Sequence, residues 1–292
     1  MRMHHYYLGG FLLLQFFLLT SCNNSVAPDT GEVSLTQPSN LSKKNIKLKF
    51  IDKFEKDKGW GIFEEIVGGS VCYGDNIGEV IRSTDVPFKG AYSLRVWANK
   101  AQSTKSNHVI GQNKISETGH TGKWRYSVRA YIPENNSATG TAGETGPEIS
   151  MQNTREISPG EFRTTTAGIQ YQANPFSTEG NWAIWSEQSP GVAGWQVFTT
   201  QRLVPGTWYK IVLKADFVIN KYIRLIIRGG KGADRINLSI DLSEYQIAQE
   251  EKFSEEAFWL TLESENLFNN CGTAGVFDYK VYYDNVRLKP IN

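Results

Sequence analysis

The chain has 292 residues, with 31 Lys and Arg against 30 Asp and Glu, a formal net charge of +1. This balance argues against a nucleic-acid-binding protein, which would show a clear basic excess. Hydrophobic residues make up 40% of the chain, which at this length is enough to bury a substantial core.

The N-terminus has the layout of a secretory signal peptide. Arg2 provides a short positive region, and residues 11–19 form a largely apolar run. At about 10 residues, this run is too short to span a hydrocarbon core, which needs about 20. Two small residues then precede Cys22, as at the cleavage site of an exported protein. Residues 1–21 are therefore predicted to be a signal peptide.

The four residues Leu19-Thr20-Ser21-Cys22 resemble the lipobox of bacterial lipoproteins. The resemblance implies cleavage before Cys22 and diacylation of its sulfur, and two or more acyl chains anchor a protein stably. It makes a membrane the expected partner, through a lipid anchor, and places the protein in the bacterial cell envelope. Asn23 follows the cysteine, which leaves sorting to the outer membrane or cell surface open. Cleavage would remove one basic and no acidic residue.

Residues 22–45 are predicted to form a flexible tether that carries the lipidated Cys22. The segments 23–31 and 37–40 are rich in small and polar residues. Such a composition cannot bury enough apolar area to fold, so the segment is expected to hold the following domain away from the lipid surface.

From residue 46 onward the sequence has the alternating pattern of β-strands. Gly, Pro and Asn residues typical of turns separate the alternating segments. Residues 242–252 are interpreted as a short helix. The remainder predicts one domain, residues 46–292, that is an all-β, two-sheet antiparallel β-sandwich or jelly roll. The alternating segments are residues 46–51, 92–97, 124–132, 208–215, 222–227 and 279–283.

Alternation also assigns faces to the strands. Apolar side chains at alternate positions are expected to form the core between the sheets, whereas the opposite faces carry amides, carboxylates and tryptophan. Indole rings stack on the C–H faces of sugars, and amides and carboxylates bind sugar hydroxyls. Candidate ligand-binding residues on these faces are Gln170, Gln172, Trp259 and Glu263.

A tryptophan-rich segment adds four further candidates for ligand binding: Trp182, Trp185, Glu187 and Trp195. Because Trp182 and Trp185 are three positions apart, a strand would place them on opposite faces, and at most one is expected in the core. The alternative is that all three indoles pack internally, since large aromatic side chains are usually mostly buried.

Three motifs, residues 126–134, 147–152 and 206–211, look like the concanavalin A-like jelly roll of legume lectins, laminarinase-type hydrolases and several polysaccharide lyases. Their order resembles the heparin-lyase-like family. That resemblance implies Glu148, Gln152 and a tyrosine such as Tyr171 or Tyr283 as catalytic residues, if the protein is an enzyme. Thr154 stands where such lyases have a histidine. Ser150 and Gln152 replace the second and third acidic residues of laminarinase-type enzymes.

The segments 54–55, 90–94 and 283–288 look like the framework of jelly-roll carbohydrate-binding modules. That resemblance implies a structural calcium ion held by Glu55 and Asp284 with a backbone carbonyl near residues 89–91. The alternative is that Asp284 only stabilises a turn.

Cys72 and Cys271 either form one disulfide or remain two unrelated thiols. The exported compartment permits a disulfide, and the distance and orientation of the two cysteines decide whether it forms.

The sequence therefore favours a lipid-anchored protein that binds a polysaccharide or oligosaccharide without cleaving it. The alternative is a polysaccharide lyase, or a glycoside hydrolase, for which basic residues expected around the Glu148 strand would suit an acidic polymer. A third hypothesis is an adhesion lipoprotein with a protein partner. Tyr171 or His120 close to Glu148 would favour the enzyme, and exposed indoles would favour binding. The basic residues are Arg125, Arg129, Arg155 and Arg163.

Overall fold

The computed structural model describes residues 48–63, 78–103, 107–138, 143–173, 180–251, 253–267 and 275–291. The predicted signal peptide, the tether with Cys22, and both Cys72 and Cys271 lie outside the described residues. Contacts group residues 46–292 into one compact unit. Within the described part of the chain, no helix is long and apolar enough to cross a membrane.

The described residues form strands and one 3-10 helix, Gly232–Asp234. The strands are β1 (Phe50–Asp52), β2 (Gly61–Phe63), β3 (Gly78–Ser83), β4 (Ser93–Ser103), β5 (Asn107–Ser116), β6 (Lys123–Tyr131), β7 (Ser137–Ala138), β8 (Gly143–Ser158), β9 (Glu161–Ala173), β10 (Gly180–Ser189), β11 (Val192–Thr200), β12 (Trp208–Asp216), β13 (Lys221–Gly229), β14 (Ile236–Asp241), β15 (Ala248–Glu250), β16 (Ala257–Leu267) and β17 (Gly275–Ile291).

These strands form two sheets. The front sheet has the order β11-β10-β9-β8-β16-β5-β2, with β15 also paired to β9. The back sheet has the order β14-β13-β12-β6-β17-β4-β3, with β1 and β7 also paired to β17. Every strand pair among the described residues is antiparallel. The predicted two-sheet antiparallel jelly-roll sandwich is confirmed.

The core lies between the two sheets and follows the alternation of the sequence. The inward faces of the front sheet bury Ile149 and Met151 of β8 and Leu260 of β16. The back sheet contributes Ile211 and Leu213 of β12. Burial of such side chains is the main favourable contribution to folding. Because alternate residues point to opposite sides, the same strands present Glu148, Gln152 and Thr261 outward from the front sheet.

Tyrosines of the back sheet cross this core and bind the backbone of the front sheet. The hydroxyl of Tyr126 donates to the Thr261 carbonyl at 3.0 Å, and that of Tyr222 donates to the Trp185 carbonyl at 2.6 Å. Tyr283 contacts the Glu148 carbonyl at 3.2 Å. Burial raises the pKa of all three hydroxyls, which keeps them protonated as donors. They hold the strands that carry the polar outer face in register.

The helix expected over residues 242–252 is wrong. The described part of this segment forms a turn and then β15, which pairs with Thr164, Thr165 and Thr166 of β9. The Ile247 amide donates to the Asn220 carbonyl at 2.8 Å. Pairing with the edge of β9 and with the β12–β13 turn satisfies the backbone groups that a helix would have satisfied internally.

Candidate functional site

A set of buried polar side chains covers the centre of the front sheet on its outer face. We call this set the polar floor. Register places Glu263 beside Glu148, Thr261 beside Ser150, and Glu148 beside Gln170. An outer sheet face normally carries polar groups that are solvated, whereas these side chains are almost fully buried. The polar floor consists of Gln112, Glu148, Ser150, Gln152, Gln170, Thr261 and Glu263.

One hydrogen-bond chain in the polar floor ends on Glu148. The amide nitrogen of Gln172 donates to Gln170 Oε1 at 2.9 Å. The amide nitrogen of Gln170 donates in turn to Glu148 Oε2 at 2.7 Å. Gln170 is thus satisfied as both acceptor and donor, and the amide it aims at Glu148 fixes that carboxylate at the centre of the sheet.

A second chain ends on Glu263. Gln112 Nε2 donates to Gln152 Oε1 at 3.3 Å, and Gln152 Nε2 donates to Ser150 Oγ at 3.4 Å. Ser150 Oγ and Thr261 Oγ1 are 2.6 Å apart, and the Thr261 hydroxyl donates to Glu263 Oε1. Because Thr261 donates to Glu263, the hydroxyl of Ser150 must donate to Thr261. Every donor in the chain therefore points toward the Glu263 carboxylate.

Glu148 and Glu263 are direct cross-strand neighbours on β8 and β16. Their side chains are only 5% and 4% exposed. Residues directly opposite on adjacent strands have Cβ atoms about 4.5–5.5 Å apart, and like charges there are destabilising. The two donor chains offset that cost. The sequence named both residues, but it does not reveal which strands become neighbours, so their juxtaposition was missed.

A pair of indoles flanks the polar floor on the side of β10 and β11. The rings of Trp185 and Trp195 lie 5.2 Å apart at 64°, and both side chains are half-buried. Trp185 Nε1 donates to Glu250 Oε2 at 3.2 Å. A Cβ on Gly168 would lie 3.3 Å from Ser150 and 3.6 Å from the Trp195 ring. A Cβ there would therefore be tight against Ser150 and in ordinary contact with the Trp195 ring, which places that indole next to Ser150.

Trp259 borders the polar floor along β16, two positions from Thr261 and next to Gln152 in the register of β16 and β8. It is half-buried. Its ring is stacked on Phe253 with centroids 6.0 Å apart at 28°, and the Lys114 ammonium lies 5.5 Å from the ring centroid. Aromatic side chains therefore border the polar floor on two sides.

The structure corrects the candidate roles of Trp182 and Tyr171. Both face the core, with ring centroids 5.2 Å apart. Trp182 Nε1 donates to the Gln201 carbonyl at 2.9 Å, and the Tyr171 hydroxyl accepts from the Leu203 amide at 3.0 Å. The alternation that puts Gln170, Gln172 and Trp185 outward turns these two inward. Tyr283, the other tyrosine considered, also lies in the core.

His120 lies away from Glu148. Asn153 accepts a hydrogen bond from the His120 amide at 2.8 Å, and Asn153 is five positions along β8 from Glu148, roughly 16 Å at 3.3 Å per residue. The imidazole packs against Trp124, and burial lowers its pKa. His120 is a packed structural residue in this arrangement.

Other candidates are also placed outside the polar floor. Glu187 Oε1 accepts from the Gly191 amide at 3.1 Å and so stabilises the β10–β11 turn. Arg125 and Arg129 lie on β6 of the back sheet, which corrects their expected position around the Glu148 strand. Arg155 and Arg163 are cross-strand neighbours on β8 and β9, beyond Thr154 from the polar floor.

The two candidate calcium ligands converge on the turn between β3 and β4. Asp284 Oδ2 accepts from the amides of Phe88 and Lys89 at 3.0 and 3.1 Å. Glu55 Oε1 accepts from the amide of Ala91 at 2.9 Å. Burial, and then the neighbouring Glu55 charge, raise the pKa of Asp284, and the backbone donors oppose that shift. Both carboxylates therefore accept backbone amides of this turn, and among the described residues no group of three or more His, Cys, Asp or Glu could hold a metal ion.

The fold and the site together define an all-β jelly-roll sandwich with a polar, aromatic-bordered outer face. No family model matches this chain, and no curated protein matches it. Among solved structures it is similar to an endo-beta-1,4-glucuronan lyase from Trichoderma reesei, at 12% identity over 83% of this chain and 95% of that one, with a TM-score of 0.43. It is also similar to an alginate lyase in complex with alginate trisaccharide, at 13% identity over 69% of this chain and 84% of that one, with a TM-score of 0.42. Peanut lectin is similar at 10% identity over 84% of this chain and 99% of that one, with a TM-score of 0.41. These similarities are low, so any functional argument depends on the site.

Proposed function

We propose that the protein binds a polysaccharide on the outer face of its front sheet and does not cleave it. The observation that supports this most directly is the polar floor bordered by Trp185 and Trp195 at β10 and β11 and by Trp259 along β16. Indole faces stack on the C–H faces of sugar rings, and the ordered amides and carboxylates match sugar hydroxyls.

The positions of the expected catalytic groups support binding rather than elimination. A lyase needs a group that removes the proton beside the uronate carboxylate. Tyr171 lies on the opposite side of the sheet from Glu148, and His120 contacts Ser116 Oγ at 2.8 Å instead. Neither residue can act at the Glu148 carboxylate in this arrangement.

Affinity electrophoresis in a panel of neutral and uronate-containing polysaccharides tests this proposal. We expect one polymer to retard the protein, because the aromatic borders bind sugar rings. Ultraviolet absorbance of the same mixtures, which reports unsaturated lyase products, should stay flat. Rising absorbance would contradict binding without cleavage and favour the lyase. No retardation in any polymer would contradict the polysaccharide ligand itself.

The juxtaposition of Glu148 and Glu263 supports glycoside hydrolysis as the second candidate function. Retaining hydrolases place two carboxyl groups about 5–5.5 Å apart, and these residues are direct cross-strand neighbours. The discriminating measurement is release of reducing ends from the polymer that retards the protein. If both Glu148→Gln and Glu263→Gln abolished such release yet kept the retardation, hydrolysis would replace binding as the function.

We further propose that lipid on Cys22 holds the protein in the bacterial cell envelope, at the outer membrane or cell surface. The four residues that end at Cys22 support this, because acylation supplies a stable anchor when two or more chains are attached. When membranes are washed at high salt, which weakens electrostatic contacts with lipid headgroups, Cys22→Ser should move the protein from the membrane fraction to the soluble fraction, and an unchanged distribution would contradict the anchor.

Calcium binding at Glu55 and Asp284 is also a proposal, supported by the convergence of both carboxylates on one turn. Calcium takes 6–8 oxygen ligands, so backbone carbonyls of the turn would complete the set. A ligand that binds only the folded state at 100 times its Kd stabilises by about 2.7 kcal/mol. For a domain of this size we expect Tm to rise by roughly 5–10 °C in calcium relative to EDTA.

Asp284→Asn should abolish this calcium-dependent difference in Tm, whatever its effect on the baseline. Asp85→Asn is the matched control, because Asp85 binds Arg95 at 3.0 Å on the same side of the fold and is not a proposed ligand. Equal Tm values in calcium and in EDTA for the unmodified protein would rule the ion out.

A further inference from the structure

The outer face of the back sheet carries eight basic side chains on four adjacent strands. Register aligns Arg224, Lys214, Arg125 and Lys289 in one row across β13, β12, β6 and β17. A second row, four positions away along the strands, holds Arg228, Lys210 and Arg129. Arg287 of β17 lies between the rows, beside Ser127. We call these eight residues the basic face.

The charges of the basic face are poorly compensated. Among the described residues, none of the eight takes part in an ion pair within 4.0 Å. Its acidic neighbours are Asp241, opposite Arg224, the buried Asp284, opposite Arg129, and the buried Asp216, two residues beyond Lys214 on β12. Like charges on directly opposite cross-strand positions are destabilising. A fold that concentrates them on one face provides a surface for a negatively charged partner.

Burial lowers the pKa of Lys210, and the positive charges of Arg125 and Arg129 lower it further. This agrees with the register, because the neighbouring guanidinium groups lie close enough to repel the Lys210 ammonium. An anion placed between these groups would relieve the repulsion.

An exposed aliphatic pair adjoins the basic face. Val218 and Ile219 form the tip of the β12–β13 turn and are 64% and 59% exposed. The turn follows Asp216, which ends β12 two residues beyond Lys214. The pair therefore lies at the end of the sheet where the row of four cations runs. Two exposed aliphatic side chains would contribute nothing to the binding of a polyanion, whereas a bilayer can bury them.

The described chain also begins at this end of the back sheet. Phe50 of β1 pairs with Leu288 of β17 in antiparallel register, so Leu48 precedes β1 on the side of Lys289 and Pro290. The residues that precede Leu48 include Cys22, the predicted lipid attachment site. The basic row, the aliphatic turn and the start of the folded chain therefore share one end of the sheet.

We propose that the basic face and the Val218–Ile219 turn dock onto a membrane surface rich in anionic phospholipids. The guanidinium and ammonium groups contact lipid phosphates, and the two aliphatic side chains enter the boundary between headgroups and acyl chains. The polar floor lies on the other sheet and therefore points away from the lipid. This proposal is independent of the polysaccharide site.

The test uses the chain from residue 22 onward carrying Cys22→Ser, so that no acyl chain contributes. We expect this protein to sediment with phosphatidylglycerol–phosphatidylcholine vesicles, less so at high salt, and not with phosphatidylcholine vesicles. Each cation near an anionic surface is worth roughly fivefold in binding. The double variant Arg287→Glu, Lys289→Glu should therefore weaken binding by about 30-fold or more. Val218→Ser with Ile219→Ser should weaken it severalfold.

Arg155→Glu with Arg163→Glu is the matched control, because both cations lie on β8 and β9 of the front sheet and not on the basic face, and it should bind vesicles nearly as well as the parent. Circular dichroism melting of each variant separates lost docking from lost folding. Docking is overturned if the parent does not sediment with anionic vesicles, or if the control pair loses as much binding as the Arg287 and Lys289 pair. Binding of polygalacturonate, but not of vesicles, to the basic face would overturn it in favour of an acidic polysaccharide.

Discussion

Replacing Trp182 by alanine is expected to lower the free energy of unfolding by about 3–5 kcal/mol, the usual cost of truncating a large buried aromatic side chain. The indole is 0% exposed and packs against Tyr171. Its removal leaves a cavity and also leaves the Gln201 carbonyl without the donor that now lies 2.9 Å away. For a domain of this size, the loss corresponds to a fall in Tm of roughly 6–20 °C.

Chemical denaturation of the parent and of Trp182→Ala measures this loss directly, provided that the slope with denaturant is unchanged. Trp97→Ala is the control, because this indole is half-buried on β4 of the back sheet. We expect the control to cost clearly less than Trp182→Ala. Equal costs would show that the burial of Trp182 does not set its contribution to stability.

Replacing Trp185 or Trp195 by alanine is expected to weaken polysaccharide binding by roughly 10- to 100-fold, in the range of a binding hot spot. Both indoles are half-buried at the border of the polar floor. Each also supports the other, since the rings are 5.2 Å apart. The double variant should therefore cost less than the sum of the two single losses.

Titration of the retarding polysaccharide against each variant, with tryptophan fluorescence or calorimetry as the signal, gives the affinities. Trp97→Ala should leave affinity unchanged, because that indole lies on the other sheet. An unchanged affinity in Trp185→Ala and Trp195→Ala would place the ligand elsewhere on the molecule. Weakened binding in Trp97→Ala as well would indicate a general effect on folding.

The hydrogen-bond order of the polar floor is consistent with the proposed binding of sugar hydroxyls. The donors of Gln170 and Thr261 are directed at Glu148 and Glu263. These contacts hold the carboxylates in place before a ligand arrives, which reduces the cost of ordering side chains on binding. The arrangement thus combines fixed acceptors with aromatic borders.

The sequence by itself determined the fold class and the faces of the strands. In residues 148–152 and 258–263 the side chains alternate strictly, so the apolar side chains of each strand share one face, and that face is the one to be buried. Ile149, Met151, Leu260 and Leu262 are buried in the core accordingly. Trp182 and Trp185 are three positions apart, so their side chains had to lie on opposite faces of the strand. Alternation alone does not say which of the two faces is the inner one.

Tertiary structure alone decided which residues meet. Glu148 and Glu263 became neighbours because β16 pairs with β8, a contact between segments far apart in the chain. Arg125 and Arg129, expected near Glu148, instead joined Lys210 and Lys214 because β6 pairs with β12 in the other sheet. Periodicity reports the side of a strand on which a residue lies. Strand order depends on non-local pairing, which no local pattern encodes, so both the polar floor and the basic face emerged only when the sheets were assembled.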